Sequence, residues 1–392
     1  MQQAGRDHGV PGSAAIVDQP CPRRRVYFLS GFDPRGASFY YRLFAEQVRE
    51  LKRRSGRVLR VGQRRGQPLD RLISRWQVAE DGAGDVDFCF LHWDDIARAH
   101  WPRSPLVLLW EGLGMYGWYL LGGGYRKIRR WSPPVALCGL YPGLYVLLSL
   151  VALGLTWALV GLLGDWMGLP PILVWILQLG LVSLAGRQAW GLAESLGVVW
   201  LFRSIRFTHR LGQARDRDLR QRVASLARQI LALEAETPGP EVWLVGHSSG
   251  SFVMAMLAAE LRRQGADQAL AGRLQLLSLG QNLANLAVHS QAQAFHADLA
   301  LLAQEPRLPW RDVTSRDDYL CFAAVDPYRS CGLPCLEVAY PDLQLIPLAQ
   351  RQGLASLSAL LSHQFDLHFE YLRTAKPGRS GGFDLIEELL AP

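Results

Sequence analysis

The segment Glu241-Val-Trp-Leu-Val-Gly-His-Ser-Ser-Gly-Ser-Phe-Val-Met-Ala-Met-Leu-Ala-Ala259 decides the fold. Its first six residues are a short aliphatic and aromatic run, the pattern of a buried strand. From Ser249 the residues turn to an apolar run that reads as a helix continuing to Gln264. Between the two stands Gly246-His-Ser-Ser-Gly250. A strand, a sharp turn and a helix lift a serine out at the carboxyl edge of a sheet, and flanking glycines let the strained turn close. The dipole of the helix that follows favours negative charge developing beside Ser248. The same spacing recurs at Gly378-Arg-Ser-Gly-Gly382, but Ser380 has no strand before it and no helix after it, so it reads as loop. Ser248 is the candidate nucleophile.

Short apolar strands alternate with helices on both sides of this segment. Before it, strands are expected at 26–30, 57–61 and 86–91, with a helix at 39–54. A helix at 213–236 leads into the strand at 242–246. Strands at 274–279, 319–325 and 337–346 follow, and a helix at 355–373 closes the chain. This alternation predicts an α/β fold with a mostly parallel sheet covered by helices on both faces. Residues 1–22, rich in Gly, Pro, Gln and Ala, read as a loose tail without an apolar run of signal-peptide length, and 375–392 as a C-terminal tail.

The middle of the chain is of another kind. Residues 132–164 are 33 consecutive uncharged positions, Asp165 interrupts, and 166–186 add 21 more. A helix of about 20 apolar residues crosses a ~30 Å hydrocarbon layer. Transmembrane helices are therefore expected at about 136–163 and 169–186, reversing through Gly164-Asp-Trp-Met-Gly-Leu-Pro-Pro171. The bland alternative is a buried helical hairpin in a large soluble core. Arg126, Lys127, Arg129 and Arg130 precede the first span, and Arg187, Arg203, Arg206 and Arg210 follow the second, while the connecting loop has no cation. That asymmetry predicts a multi-pass protein of the inner membrane with both outer ends, and the α/β body, in the cytoplasm. The stretch 105–125, with Glu111 and several glycines, reads as interfacial or lid-like, and 188–210 as a helix leaving along the membrane surface. The 392 residues thus divide into 23–104 and 211–374, folding as one domain, with 105–210 inserted as a membrane excursion. Lys and Arg number 42 against 35 Asp and Glu, a formal charge of +7, with only Lys52, Lys127 and Lys376 as lysines. Their crowding at the borders of the apolar region points to a membrane surface and not to nucleic acid. The cysteine and histidine spacings give no metal site, and no phosphate loop or dinucleotide fingerprint occurs, so neither metal nor cofactor is expected.

The strand, the Gly246-His-Ser-Ser-Gly250 turn and the helix after it resemble those of serine hydrolases of the α/β-hydrolase superfamily. The resemblance extends over 24–104 and 211–374, with the hairpin as an addition. It implies the order serine, acid, histidine, with the last two on loops after later strands. Asp326, directly after Cys321-Phe-Ala-Ala-Val325, fits the acid, with Asp298 and Asp317 as weaker alternatives and an Asp-Pro turn as the plain reading. His368, within Phe365-Asp-Leu-His-Phe-Glu-Tyr-Leu372, fits the base, with His363 as the alternative. The oxyanion donors implied are the backbone N–H groups of Ser249 and of Phe32, the latter in Gly31-Phe-Asp-Pro-Arg-Gly36. His92-Trp-Asp-Asp95 is a further candidate for the pocket wall, or a helix cap. The expected function is a membrane-anchored serine hydrolase acting on an ester or thioester of a lipid-like molecule through an acyl-enzyme. An acyltransferase with the same triad, or a non-catalytic membrane scaffold, are the other readings.

Overall fold

The computed structural model describes residues 22–65, 72–81, 84–102, 104–266, 270, 272–305, 307–333, 341–376 and 382–391. The tail expected at 1–22 lies outside these apart from Pro22, as do Ser380 and the start of the strand expected at 337–346.

Eight strands form one sheet: β1 (Arg24–Leu29), β2 (Leu59–Val61), β3 (Ile73–Glu80), β4 (Val86–Leu91), β5 (Glu241–His247), β6 (Leu274–Leu279), β7 (Trp310–Thr314) and β8 (Asp342–Leu345). Their order is β2-β3-β4-β1-β5-β6-β7-β8. β2 and β3 are antiparallel to their neighbours, and all pairs from β4 through β8 are parallel. The sheet is mixed and mostly parallel, as expected. Strand β1 shows why it needs cover on both sides. Tyr27 and Leu29 enter one core with Phe207, Leu226 and Phe252, while Val26 and Phe28 enter a second with Phe44, Leu51 and Phe88. Every residue of β1 and β4 is buried, which is the mark of central parallel strands.

Chain order gives the helices as α1 (Ala37–Ser55), α2 (Asp94–Ala99), α3 (Pro105–Tyr116), α4 (Gly124–Trp131), α5 (Pro133–Trp166), α6 (Pro171–Ser195), α7 (Val198–Gly212), α8 (Arg217–Glu236), α9 (Gly250–Arg263), α10 (Leu283–Ala287), α11 (Gln293–Ala303), α12 (Pro327–Ser330), α13 (Leu348–Gln352), α14 (Leu357–Ser362), α15 (Gln364–Phe369) and α16 (Leu385–Leu389). Helix α9 is apolar around its whole circumference and buried from Gly250 to Ala259, because it fills the space between β5 and α8.

Three expectations change. Strand β3 was not foreseen. The stretch 319–325 is no strand: Ala324 has φ +52°, and Gln281 Nε2 donates to the carbonyls of Phe322 and Val325 at 3.0 Å each. The strand before that loop is β7. Within the expected C-terminal tail, residues 382–391 pack on the body. Asp384 caps α16 and accepts from the Ala375 N–H at 2.8 Å, and Phe383, Leu385, Ile386 and Leu389 are buried in the core that α1 covers.

Helices α5 and α6 are long and apolar enough to cross a membrane. α5, Pro133–Trp166, lies within three residues of the expected bounds, whereas α6, Pro171–Ser195, runs nine residues past 186 into the stretch expected as a surface helix, which begins only at Val198 as α7. None of the most apolar 18-residue stretch of α5 is buried, and 11% of that of α6. A core hairpin of a soluble protein would be covered, so these surfaces are open to whatever surrounds them. The hairpin packs through small residues: a Cβ on Gly164 would lie 2.5 Å from Val174, and one on Gly161 2.9 Å from Gln178. Gln178 Nε2 donates to the Trp157 carbonyl at 3.0 Å, so the buried amide of α6 is paired. The buried residues Val135, Ala136, Gly139 and Pro142 all lie in the first ten residues of α5, which rest on the α/β body while the rest projects.

At the opposite end of the sheet, Arg25 is fully buried. Its Nη1 donates to Glu234 Oε1 at 2.7 Å and its Nε to Asp87 Oδ2 at 3.3 Å, and Tyr27 Oη donates to the same Glu234 oxygen at 2.9 Å. Removing one partner leaves the others charged and out of water. Arg25→Met is expected to destabilise the protein by ~3–5 kcal/mol, read as a lowered unfolding midpoint of the purified protein. An unchanged midpoint would show that this network carries no stability.

Candidate active site

Ser248 is the single residue between β5 and α9 with φ +55°, a left-handed conformation that a β-carbon makes costly. The turn is held from three sides. Ser248 N–H donates to the Leu279 carbonyl of the neighbouring strand at 2.9 Å, and the Ser248 carbonyl accepts from Ser251 Oγ at 2.6 Å. Close packing supplies the third. A Cβ on Gly246 would meet the Gly250 carbonyl oxygen at 2.6 Å, and one on Gly250 the Leu29 carbonyl oxygen at 2.3 Å. The two glycines of the motif are thus required by backbone contact, with α9 pressed against the end of β1. A Cβ on Gly31 would likewise sit 3.0 Å from Ser248 Cβ, so the loop after β1 lies directly beside the serine.

His368, on α15, is 1% exposed. Its Nδ1 pairs with Asp318 Oδ2 at 2.7 Å. Tyr371 Oη donates to the same oxygen at 3.2 Å and the Leu320 N–H to Asp318 Oδ1 at 2.9 Å, so the carboxylate is fixed by three donors. Nδ1 therefore carries the proton, and Nε2 is left as the basic nitrogen. That Nε2 is buried and has no hydrogen-bond partner among the described residues. His368 and Ser248 line one cavity of about 50 Å³, without a direct hydrogen bond between them. Such bonds are often long before a substrate is bound. Asn282 Nδ2 approaches Ser248 Oγ at 3.4 Å from the end of β6. His247 props the base from behind: its Nε2–H donates to the His368 carbonyl at 2.7 Å, and burial and the adjacent His368 push its pKa down to about 3, keeping it neutral.

Asp326, expected as the acid, is not the carboxylate that pairs with His368. Asp326 is the N-cap of α12, its Oδ1 accepting from the amides of Tyr328 and Arg329 at 2.8 and 3.3 Å, and the residue paired with His368 is Asp318. The physical reason is the position of the strand. Thr314 ends β7, and Asp318 sits four residues on, in the loop at the carboxyl edge of the sheet. Asp298 and Asp317 are also occupied elsewhere. Asp298 is held by Arg220 and Arg263 at 2.5 and 2.6 Å, and Asp317 Oδ2 accepts from the Ala349 N–H at 2.9 Å. His363 is exposed and its Nδ1 is taken up by its own helix, 2.8 Å from the Ala359 carbonyl. His92, Asp94 and Asp95 do not line the cavity: His92 bonds Ser74 and Asp94, and Asp95 forms a bidentate pair with Arg222 at 2.6 Å.

Of the expected oxyanion donors, Ser249 lines the cavity and begins α9. Phe32 follows Gly31 in the loop beside Ser248, its ring buried between Phe207 and Trp101 at centroid distances of 4.5 and 5.4 Å. Asp33 accepts from Arg35 and from Tyr40 Oη, so these residues brace the loop.

The rest of the cavity wall comes from the inserted segment. Trp118 and Tyr119 from the π-helical turn after α3, Ile128 of α4, Val135 and Cys138 of α5, and Leu201, Ile205 and Thr208 of α7 close it over the serine. His209 and His289 line it too, with Trp118 stacked on His289 at 3.9 Å. Burial lowers these imidazoles to about 4 and about 3, so both are neutral at pH 7. Sequence reasoning missed Asp318, Asn282 and the two histidines. The one signal for Asp318 is the Asp317-Asp318 pair just after Trp310-Arg-Asp-Val-Thr314, a segment whose two charged residues hide its strand character.

Behind the site, Asp312 of β7 is fully buried, accepts from Ser278 Oγ, and has its second oxygen unpartnered. Burial raises its pKa to about 8. The unfolded chain loses this proton near pH 4, whereas the folded protein keeps it to about pH 8, so stability contributed here is full below pH 4 and falls as pH rises toward 8. Asp312→Asn is expected to flatten that decline in a series of unfolding midpoints between pH 5 and 8, and an identical pH slope in both proteins would contradict the neutral buried carboxyl. A second prediction separates the two acids. Asp318→Asn should slow fluorophosphonate labelling of Ser248 by ~10³–10⁴-fold, and Asp326→Asn should leave it within about twofold. The reverse order would return the role to Asp326.

Comparison of the chain with protein-family models, with curated proteins and with solved structures gives no match.

Proposed function

We propose that this chain is a membrane-anchored serine hydrolase that cleaves an ester or thioester of a lipid-like molecule, with the α/β body on the cytoplasmic side of the inner membrane. The observation that carries the reading is the buried His368–Asp318 pair, whose one unpartnered nitrogen belongs to the cavity of a serine held at positive φ. Ser248 Oγ attacks the acyl carbon as its proton passes to His368 Nε2, and the Oγ–C bond forms while the carbonyl pair moves to oxygen. The oxyanion is held by the Ser249 N–H at the helix start and by the Phe32 N–H of the loop beside Ser248, with the Asn282 side-chain amide also in the cavity wall. His368 then returns the proton to the leaving alcohol or thiol as its bond to carbon breaks, and water repeats the sequence on the acyl-enzyme. Asp318 keeps the imidazole in the tautomer that accepts at Nε2. Preorganised donors of this kind contribute roughly 3–4 kcal/mol each to the barrier drop.

The substrate class follows from the walls. The cavity is roofed by the same helices that carry the exposed apolar hairpin, and its lining is mostly apolar. Its present volume holds a few water molecules at most. The walls between the cavity and the outside come from α5, α7 and the turn after α3, so an ester carried by a bilayer-dissolved lipid is the substrate class that suits them.

Fluorophosphonate probes test the reading. Wild-type protein in detergent should be labelled, and Ser248→Ala and His368→Ala should lose labelling while retaining the elution profile and helical signal of the wild type. Absence of labelling in well-folded wild-type protein would leave a scaffold with an idle hydrolase-like site.

A further inference from the structure

Helix α14 exposes large apolar side chains outside the inserted segment. Leu357 and Leu361, four residues apart on one helical face, are 65% and 55% exposed, and no residue of this helix is buried. The stretch 352–365, Gln352-Gly-Leu-Ala-Ser-Leu-Ser-Ala-Leu-Leu-Ser-His-Gln-Phe365, contains no Asp, Glu, Lys or Arg. Its exposed residues, 353, 355–358 and 361–363, form a surface without a formal charge, which is unusual where a surface faces water. Its neighbour explains it. The Phe365 ring packs against Gly197, where a Cβ would come within 2.1 Å, and meets Trp200 edge-on at 4.9 Å. Gly197 is the joint between α6 and α7. Helix α6, with 25 residues, is about 37 Å long, so its base overshoots a ~30 Å hydrocarbon layer by roughly the depth of one headgroup layer. Leu192 and Leu196, at that base, are exposed as well.

We infer that α14 is a membrane-contact element: its Leu357–Leu361 face lies in the boundary between headgroups and acyl chains of the leaflet that surrounds the base of α6. The partner is the lipid surface itself. This inference rests on the membrane placement of α5 and α6 and is independent of the chemistry at Ser248. Its consequence for the site is positional, since Phe365 stands three residues before His368 on the same helix. Lipid contact thereby bears on the segment that carries the base.

The test uses the full chain in phospholipid nanodiscs, with nitroxide labels on Leu361→Cys, on Leu150→Cys in α5 and on Lys52→Cys on the far side of the body, each corrected for labelling of the native cysteines. Collision with oxygen and with a water-soluble nickel chelate reports immersion. Leu361→Cys is expected at a depth of about 5–10 Å, Leu150→Cys deeper, and Lys52→Cys in water. Water exposure at 361 with lipid exposure at 150 would overturn the inference alone, and water exposure at both would overturn the membrane placement with it. The same pattern is expected in the Ser248→Ala background, and its loss there would overturn independence from the chemistry.

Discussion

The contact between the start of α9 and the end of β1 governs the site. Gly250 has the carbonyl oxygens of Leu29 and Ser30 where a β-carbon would stand, and Gly246 has Gly250 and Ser251 there. With that gap closed, the chain between β5 and α9 has room for one arrangement, and Ser248 occupies its positive-φ corner. The strain of that corner is borne by the hydrogen bonds of Ser248 to Leu279 and Ser251, and by an α9 that has no face left for water. A serine so held projects to the carboxyl edge of the sheet, the edge at which β7 and β8 deliver Asp318 and His368.

The polar side of the site is over-determined in the same way. Asp318 takes three donors, His368 is pinned at its ring by Asp318 and at its carbonyl by His247, and His247 is itself uncharged. Loss of the His247 bond therefore leaves the imidazole held at its ring, while loss of the carboxylate removes the partner that Nδ1 has among the described residues. The neutral His209 and His289 across the cavity add no competing positive charge.

Much of this was legible in the residues, and the failures have physical causes. The β5–turn–α9 unit and the apolar hairpin are local patterns, each contained within a few dozen residues, and both could be read directly. The carboxylate that pairs with His368 was not local. Strand β7 is five residues with Arg311 and Asp312 inside it, and a buried aspartate contradicts the pattern a strand is sought by, whereas Cys321-Phe-Ala-Ala-Val325 imitates it. Reading the imitation as the strand puts the carboxyl edge at Val325 instead of Thr314, and the candidate acid at Asp326 instead of the Asp318 that pairs with His368. The C-terminal segment failed for a similar reason. Phe383, Leu385, Ile386 and Leu389 look like a weak tail until α1 and the Asp384 cap are in place. The pairing of His368 over His363 depends on a break between α14 and α15 that turns one imidazole inward and leaves the other in solvent.

Helix α5 runs unbroken from the roof of the Ser248 cavity to the far tip of the hairpin, about 51 Å by its 34 residues. One rod thus has its foot in the cavity wall and a shaft long and apolar enough to cross a membrane. Any tilt of that shaft carries Val135 and Cys138 with it, so the space above the serine depends on how the far end of the hairpin is held.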